Sequence, residues 1–167
     1  MTTYYQTQLP VNGQLTWLAG TATELVFVGT PGNIADTPVS FLPKITFVEG
    51  VPPILTETAA ALTAYFNGQT KKLRCPVTFV TGTVLQRQVW QYLLTSVQYG
   101  TRLTYSQLAE KVGKPKAIRA VATAVAKNPL LFVLPCHRVV RKDGSVGEYR
   151  GGIALKQHLL NIEQQNS

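Results

Sequence analysis

The sequence is poor in the residues that build cysteine frameworks, metal clusters and membrane spans. Its 167 residues hold two cysteines, two histidines and one methionine. Cys75 and Cys136 allow at most one bridge, which excludes a disulfide scaffold. With His137 and His158 they do not reproduce the clustered spacing of structural zinc sites, so no metal is expected. No stretch approaches the ~20 apolar residues of a membrane-spanning helix. The first residues carry neither the positive nor the apolar segment of a secretory leader. These gaps together point to a cytoplasmic chain with free thiols and no membrane partner. Acidic residues are also scarce, eight against sixteen Lys and Arg, for a net charge of +8. Residues 1–100 carry only +1 of this and residues 101–167 carry +7. A basic surface on one side suits a polyanionic partner such as nucleic acid, although a solvated basic face would have the same composition.

What is present suffices for a folded core: 45% of the residues are hydrophobic, and the length suits one domain or two small ones. The pattern is α/β in the α+β sense. A small N-terminal domain, residues 1–80, reads as an antiparallel sheet with one helix. Tyr4-Tyr5-Gln6, Gln14 to Ala19, Glu24 to Val28 and Ile45 to Val48 are its strands, and Asn12-Gly13 is a hairpin turn. Its helix runs from an N-cap at Thr56 to Phe66, stopped by Asn67-Gly68. Residues 81–167 read as a mainly helical domain. Thr83 with Gln86 and Thr104 with Gln107 are capping-box pairs that open two helices. A further helix spans Lys116 to Lys127, before Asn128-Pro129, and makes a helix-turn-helix candidate with the one before it. It is slim, with alanine at 117, 120, 122, 124 and 126, and basic at Lys116, Arg119 and Lys127. Slimness suits either close approach to DNA or tight packing on a neighbour. A buried strand is expected at Leu130 to Leu134, and a last helix from Ile153 to Ile162.

The strongest chemical signal is Cys136-His137, set between Pro135 and a loop with four glycines. A free thiol is only a few per cent thiolate at neutral pH, so a nearby histidine and a carboxylate orienting it would activate the sulfur. His137 and Glu163 are the candidates. On an extended strand adjacent side chains point to opposite faces. The pair can cooperate only if the chain turns there or a water bridges them. His158 and Cys75 read as incidental.

The stretch Pro135-Cys136-His137-Arg138-Val139 resembles the active-site signature of the O6-alkylguanine-DNA alkyltransferases. The likeness extends from about Gly82 to Glu163. It takes in Gly82-Thr83-x-x-Gln86-x-x-Val89-Trp90, Thr104-Tyr105-Ser106-Gln107-Leu108-Ala109, Arg119-Ala120-Val121, Asn128-Pro129 and Tyr149-x-Gly151-Gly152. The first 80 residues resemble the family's variable N-terminal domain only in size and strand content.

The resemblance implies a repair protein that moves an alkyl group from O6 of guanine, and often O4 of thymine, onto its own cysteine, once per molecule and without a cofactor. It implies Cys136 as acceptor, His137 as a water-mediated base, Glu163 as its orienting carboxylate, and Asn128 as support for the active-site turn. Tyr105 would donate to N3 of a guanine flipped out of the duplex. Arg119 would fill the gap. Lys116, Ala117, Ala120, Thr123, Lys127 and Arg138 would contact double-stranded DNA, with the slim helix in the minor groove. Val125, Val139, Tyr149, Arg150 and Lys156 would line the pocket. The protein would be a monomer in solution, with cooperative assembly on DNA allowed. Two positions depart from some relatives: Arg150 stands where they carry a small residue, and Val125 is smaller than its counterpart. A lesion binder without transfer and a thiol hydrolase are the competing readings. The first is distinguished by the presence of Cys136, and the second leaves Arg119 and Tyr105 without a role.

Overall fold

The computed structural model describes all 167 residues. They form two compact units. One comprises Met1–Thr81 with Pro129–Val133, the other Gly82–Asn128 with Leu134–Ser167.

The first unit is built on a four-stranded sheet of order β3-β2-β1-β4, with β1 Tyr4–Val11, β2 Gln14–Gly20, β3 Leu25–Val28 and β4 Phe47–Glu49. Asn12 and Gly13 have φ of 50° and 80°, the left-handed pair whose twist suits a two-residue hairpin. They set the antiparallel register from Val11↔Gln14 to Tyr5↔Gly20. The short β4 departs from the expected antiparallel pattern: it pairs parallel with β1, Tyr4 opposite Phe47. Helix α1, Pro38–Phe41, lies between β3 and β4, and the Thr37 side chain accepts from Ser40 N at its start. Helix α2, Pro53–Phe66, starts three residues before the expected Thr56 cap. Proline at the first helical position presets φ and sacrifices only an N–H that has no helical partner.

The run Leu130 to Leu134 is buried as expected but is not a strand. Leu130 forms only an isolated bridge with Val28. Phe132 lies at φ 71°, a left-handed conformation a bulky residue adopts only when its surroundings impose it. Its ring packs edge-on against Phe66, centroids 5.3 Å apart. Aromatic burial outweighs the β-propensity of the run here.

The second unit holds α3 Val84–Ser96, α4 Tyr105–Lys111, α5 Ile118–Ala126 and α6 Ile153–Asn166. Both predicted capping boxes are present, Thr83 with Gln86 and Thr104 with Gln107. Gly82, at φ 102°, lies where any Cβ would come within 2.6 Å of the Trp90 ring. Trp90 in turn donates from Nε1 to Ala124 O at 2.8 Å, joining α3 to α5. Helix α5 begins at Ile118 instead of Lys116. A two-stranded pairing that local sequence pattern does not signal is also present: β5, Leu103–Thr104, pairs parallel with β6, Val139–Val140. No helix is long and apolar enough to cross a membrane.

Candidate active site

The β5–β6 pairing brings the site together. Tyr105 follows directly after β5 and the Cys136–Arg138 turn directly precedes β6, so register Leu103↔Val139 sets them side by side. Cys136 to Arg138 form a 3-10 turn, so the chain does turn at the Cys-His pair. Cys136 N donates to Leu134 O at 2.7 Å and Arg138 N to Pro135 O at 3.0 Å. The turn releases Cys136 and His137 from the opposite-face geometry of a strand.

Cys136 is buried, with 3% of its surface exposed. Asn128 Nδ2 donates to its Sγ at 3.0 Å and to Leu134 O at 3.1 Å. One amide therefore holds the sulfur and the chain just before it. Burial raises the pKa of the thiol, and the Asn128 amide and the charges of Arg150 and Lys156 oppose that rise without overcoming it. The resting sulfur is thus a protonated thiol, and its proton must be taken for the sulfur to attack.

Behind it stands a closed chain of charge-assisted contacts. His137 Nε2 lies 2.6 Å from Glu163 Oε2. Arg138 grips the same carboxylate with both forks, Nε to Oε1 at 2.8 Å and Nη2 to Oε2 at 3.0 Å. Gly100 N adds a third donor type, reaching Oε1 at 3.0 Å. Although burial alone would raise it, these donors hold the Glu163 carboxyl well below the usual carboxylate range. Burial lowers the His137 pKa, and the attraction of Glu163 does not fully offset this. At neutral pH the pair is therefore carboxylate and neutral imidazole, with Nε2–H donated to Glu163 and Nδ1 left as the basic nitrogen.

Arg138 corrects an expectation. It is not placed to meet DNA: it is 7% exposed, bound to Glu163, and donates from Nη1 to Val97 O at 2.6 Å. Nothing near it in sequence marks Glu163 as its partner, because 25 residues separate the two. The remaining expected DNA contacts lie on one face of α5 and its flank: Lys116, Arg119, Ala120, Thr123 and Lys127 are exposed and Ala117 half-buried, while Val121, Ala124 and Val125 face inward.

Of the expected pocket residues, Lys156 is fully buried and donates from Nζ to Glu148 O at 3.2 Å. The Lys156 ammonium also lies 5.9 Å from the centre of the Tyr105 ring. Burial pulls its pKa down to about 8, an effect that a thiolate at Cys136 would oppose. Burial raises the pKa of the Tyr105 phenol, and a thiolate at Cys136 would raise it further, so the phenol is a donor at neutral pH. Gly147, at φ 77°, lies against Tyr105, where a Cβ would stand 3.3 Å from the hydroxyl. Val125 and Val139 are buried, and Tyr149 and Arg150 are half-buried. His158 is exposed. Cys75, in the first unit, is half-buried, and burial raises its pKa.

These features define a class of protein: one with a single buried thiol nucleophile, held by an amide and backed by a His–Glu–Arg chain. Comparison with known proteins narrows it. Residues 84–165 match the family model described as 6-O-methylguanine DNA methyltransferase, DNA binding domain. The chain is 36% identical over 155 residues to the inducible methylated-DNA–protein-cysteine methyltransferase of Bacillus subtilis, covering 90% of this chain and 85% of that one. Over 87 residues it is 51% identical to the Escherichia coli bifunctional transcriptional activator/DNA repair enzyme Ada, 52% of this chain but 24% of that protein. The crystal structure of Mycobacterium tuberculosis OGT in complex with DNA superposes with a TM-score of 0.80 at 29% identity, covering 99% of this chain and 94% of that one. The chain belongs to the methylated-DNA–protein-cysteine methyltransferase family.

Proposed function

We propose that this protein repairs double-stranded DNA by direct reversal, taking the alkyl group of O6-alkylguanine onto Sγ of Cys136 in a single, irreversible event. The observation that carries the reading is the buried thiol held at 3.0 Å by Asn128, beside a His137–Glu163 pair joined at 2.6 Å.

The balance of the step is simple. The Cys136 proton passes through a water to Nδ1 of His137. The sulfur forms a bond to the alkyl carbon as the C–O6 bond breaks, and the bonding pair leaves on the guanine. Tyr105 donates to the base at N3, which makes it a better leaving group, and the proton taken from sulfur ends on the base. The thioether has no route back to a thiol, so each molecule acts once. O4-alkylthymine presents the same alkyl–oxygen bond and fits the same step.

A stacked base cannot bring its O6 substituent to a thiol that is 3% exposed, so the nucleotide must be flipped out, at a cost of a few kcal/mol. The slim exposed face of α5 suits the minor groove, with Arg119 filling the gap left in the stack and Lys116 and Lys127 on phosphates. Residues 81–167 carry DNA binding and chemistry on this reading, and the protein works as a monomer within the cell. Binding of this kind is strongly salt-dependent and largely indifferent to sequence.

The decisive measurement is intact mass after incubation with an O6-methylguanine duplex in excess. One methyl replacing one hydrogen, located on Cys136 by peptide mapping and never exceeding one per molecule, is expected. Turnover beyond one equivalent, or lesion binding with no change of mass, would overturn the reading. A second expectation concerns Arg119→Ala. It should slow repair of duplex DNA by about tenfold or more, as loss of a stack-filling group costs ~1–3 kcal/mol, while transfer from the free base O6-methylguanine is spared. Equal losses on both substrates would remove Arg119 from the flipping step.

A further inference from the structure

The Arg138 guanidinium is more than a structural clamp. Both oxygens of Glu163 are shared between it and another donor: Oε2 with His137, and Oε1 with Gly100 N. A carboxylate that served the histidine alone would favour the protonated imidazole and raise its pKa, which makes it a poorer acceptor for the thiol proton. Here the negative charge is already answered by a cation fixed at three points, through Nε, Nη1 and Nη2. A fourth contact fixes its plane: the guanidinium carbon lies 5.7 Å from the centre of the Tyr99 ring, within cation–π range.

We propose that Arg138 is a positioning residue for the transfer reaction: by neutralising Glu163 while leaving it free to orient His137, it holds His137 as a neutral imidazole ready to take the Cys136 proton. The inference rests on the alkyl-transfer reading above. It separates two tasks of the carboxylate that are usually joined. Glu163 still fixes the ring through Nε2–H, and Arg138 opposes part of its pull on the ring proton. The charged groups facing His137 from every side fit this account. Glu163 and Lys156 on α6 and Arg138 on its own turn all act on it, and burial combined with the two cations outweighs the single anion. Because the resting sulfur is a protonated thiol, a histidine already carrying its proton could not accept another.

The chain has only two histidines, so the test is spectroscopic and direct. Imidazole titration by NMR should place the wild-type His137 midpoint below the ordinary imidazole value of 6.5. In Arg138→Gln it should move upward by about one to three units, the shift expected when an opposite charge a few ångströms away is left unanswered. Methyl transfer by that variant should then fall by about tenfold for each pH unit below the new midpoint, and recover at higher pH. Arg138→Lys should restore the low midpoint in large part, because the charge returns even though the fork does not. A purely structural role predicts a loss of rate at all pH values with the His137 midpoint unmoved, and that result would overturn the proposal. Should Arg138→Gln fail to fold, the wild-type titration decides: a His137 midpoint above neutral pH would mean a charged resting imidazole and would overturn the proposal. The titration needs no DNA. Its failure is therefore distinct from a failure of the transfer reading, which would appear as a wild-type protein that gains no methyl.

Discussion

Cys136→Ala should lose alkyl transfer completely while keeping its affinity for lesion-containing duplex. The separation follows from where the cysteine lies. Its side chain is buried and touches the Asn128 amide, while the exposed basic face of α5 is formed by other residues. Alanine removes the nucleophile and nothing that meets phosphate. Folding should suffer little, since the thiol is small and the Asn128 amide keeps its second acceptor at Leu134 O. A cost near 1 kcal/mol is expected, that of one weak hydrogen bond and a small void. The checks are a gel-shift titration with an O6-methylguanine duplex, a methyl-transfer assay, and urea denaturation. Loss of DNA affinity together with transfer would mean that Cys136 holds the binding surface in shape. Residual transfer would move the acceptor to Cys75.

Glu163→Ala should be the most damaging substitution for stability, by about 3–5 kcal/mol, because it leaves a buried guanidinium without its carboxylate. The Arg138 and Glu163 side chains are only 9% and 2% exposed, so water cannot substitute. The same variant frees the His137 ring from its orienting partner, so transfer should also fall. The pH dependence of stability has a definite sign. The folded Glu163 carboxyl lies far below its ordinary value of 4.5. Its contribution is therefore complete above the unfolded value and is lost as the pH falls through and below it. His137 acts in the same direction. Its folded value is lowered from the ordinary 6.5, so the unfolded chain takes up the proton first and stability declines as the pH drops below that point. Wild-type unfolding free energy, followed by urea titration, should decrease on acidification from just below pH 6.5. The Glu163→Ala curve should lack the part that falls in the carboxylate range. A Glu163→Ala protein within about 1 kcal/mol of wild type at pH 7 would show that the network is solvated and marginal.

Much of the site could be read in the sequence because it lies in short local signals. The capping boxes at Thr83 and Thr104 are four-residue patterns whose hydrogen bonds close within one turn, and both form as written. The slim basic helix follows from side-chain size and period alone. The motif resemblance brought Asn128, Tyr105 and Glu163 to Cys136 in expectation, and the structure sets Asn128 on the sulfur and Glu163 on His137. The misreadings are of another kind. Leu130 to Leu134 has the composition of a strand, and only the packing of Phe132 on Phe66 turns its backbone to φ 71°. Arg138 has the charge of a DNA contact, and only the arrival of Glu163 from α6 makes it an internal residue.

By itself, then, the sequence determined most of the helices, the capped starts of α3 and α4, the basic face of α5 and the identity of the one thiol built for chemistry, because propensity, capping and charge act over a few residues. Tertiary structure decided whether that thiol could react. The two-residue pairing of Leu103 and Thr104 with Val139 and Val140 sets Tyr105 beside the Cys136 turn. The meeting of Arg138, Glu163 and His137 fixes where the charge and the proton reside. Those contacts join residues 25 or more positions apart, and in a buried setting their electrostatics depend on distance and on what excludes water, neither of which the order of residues expresses.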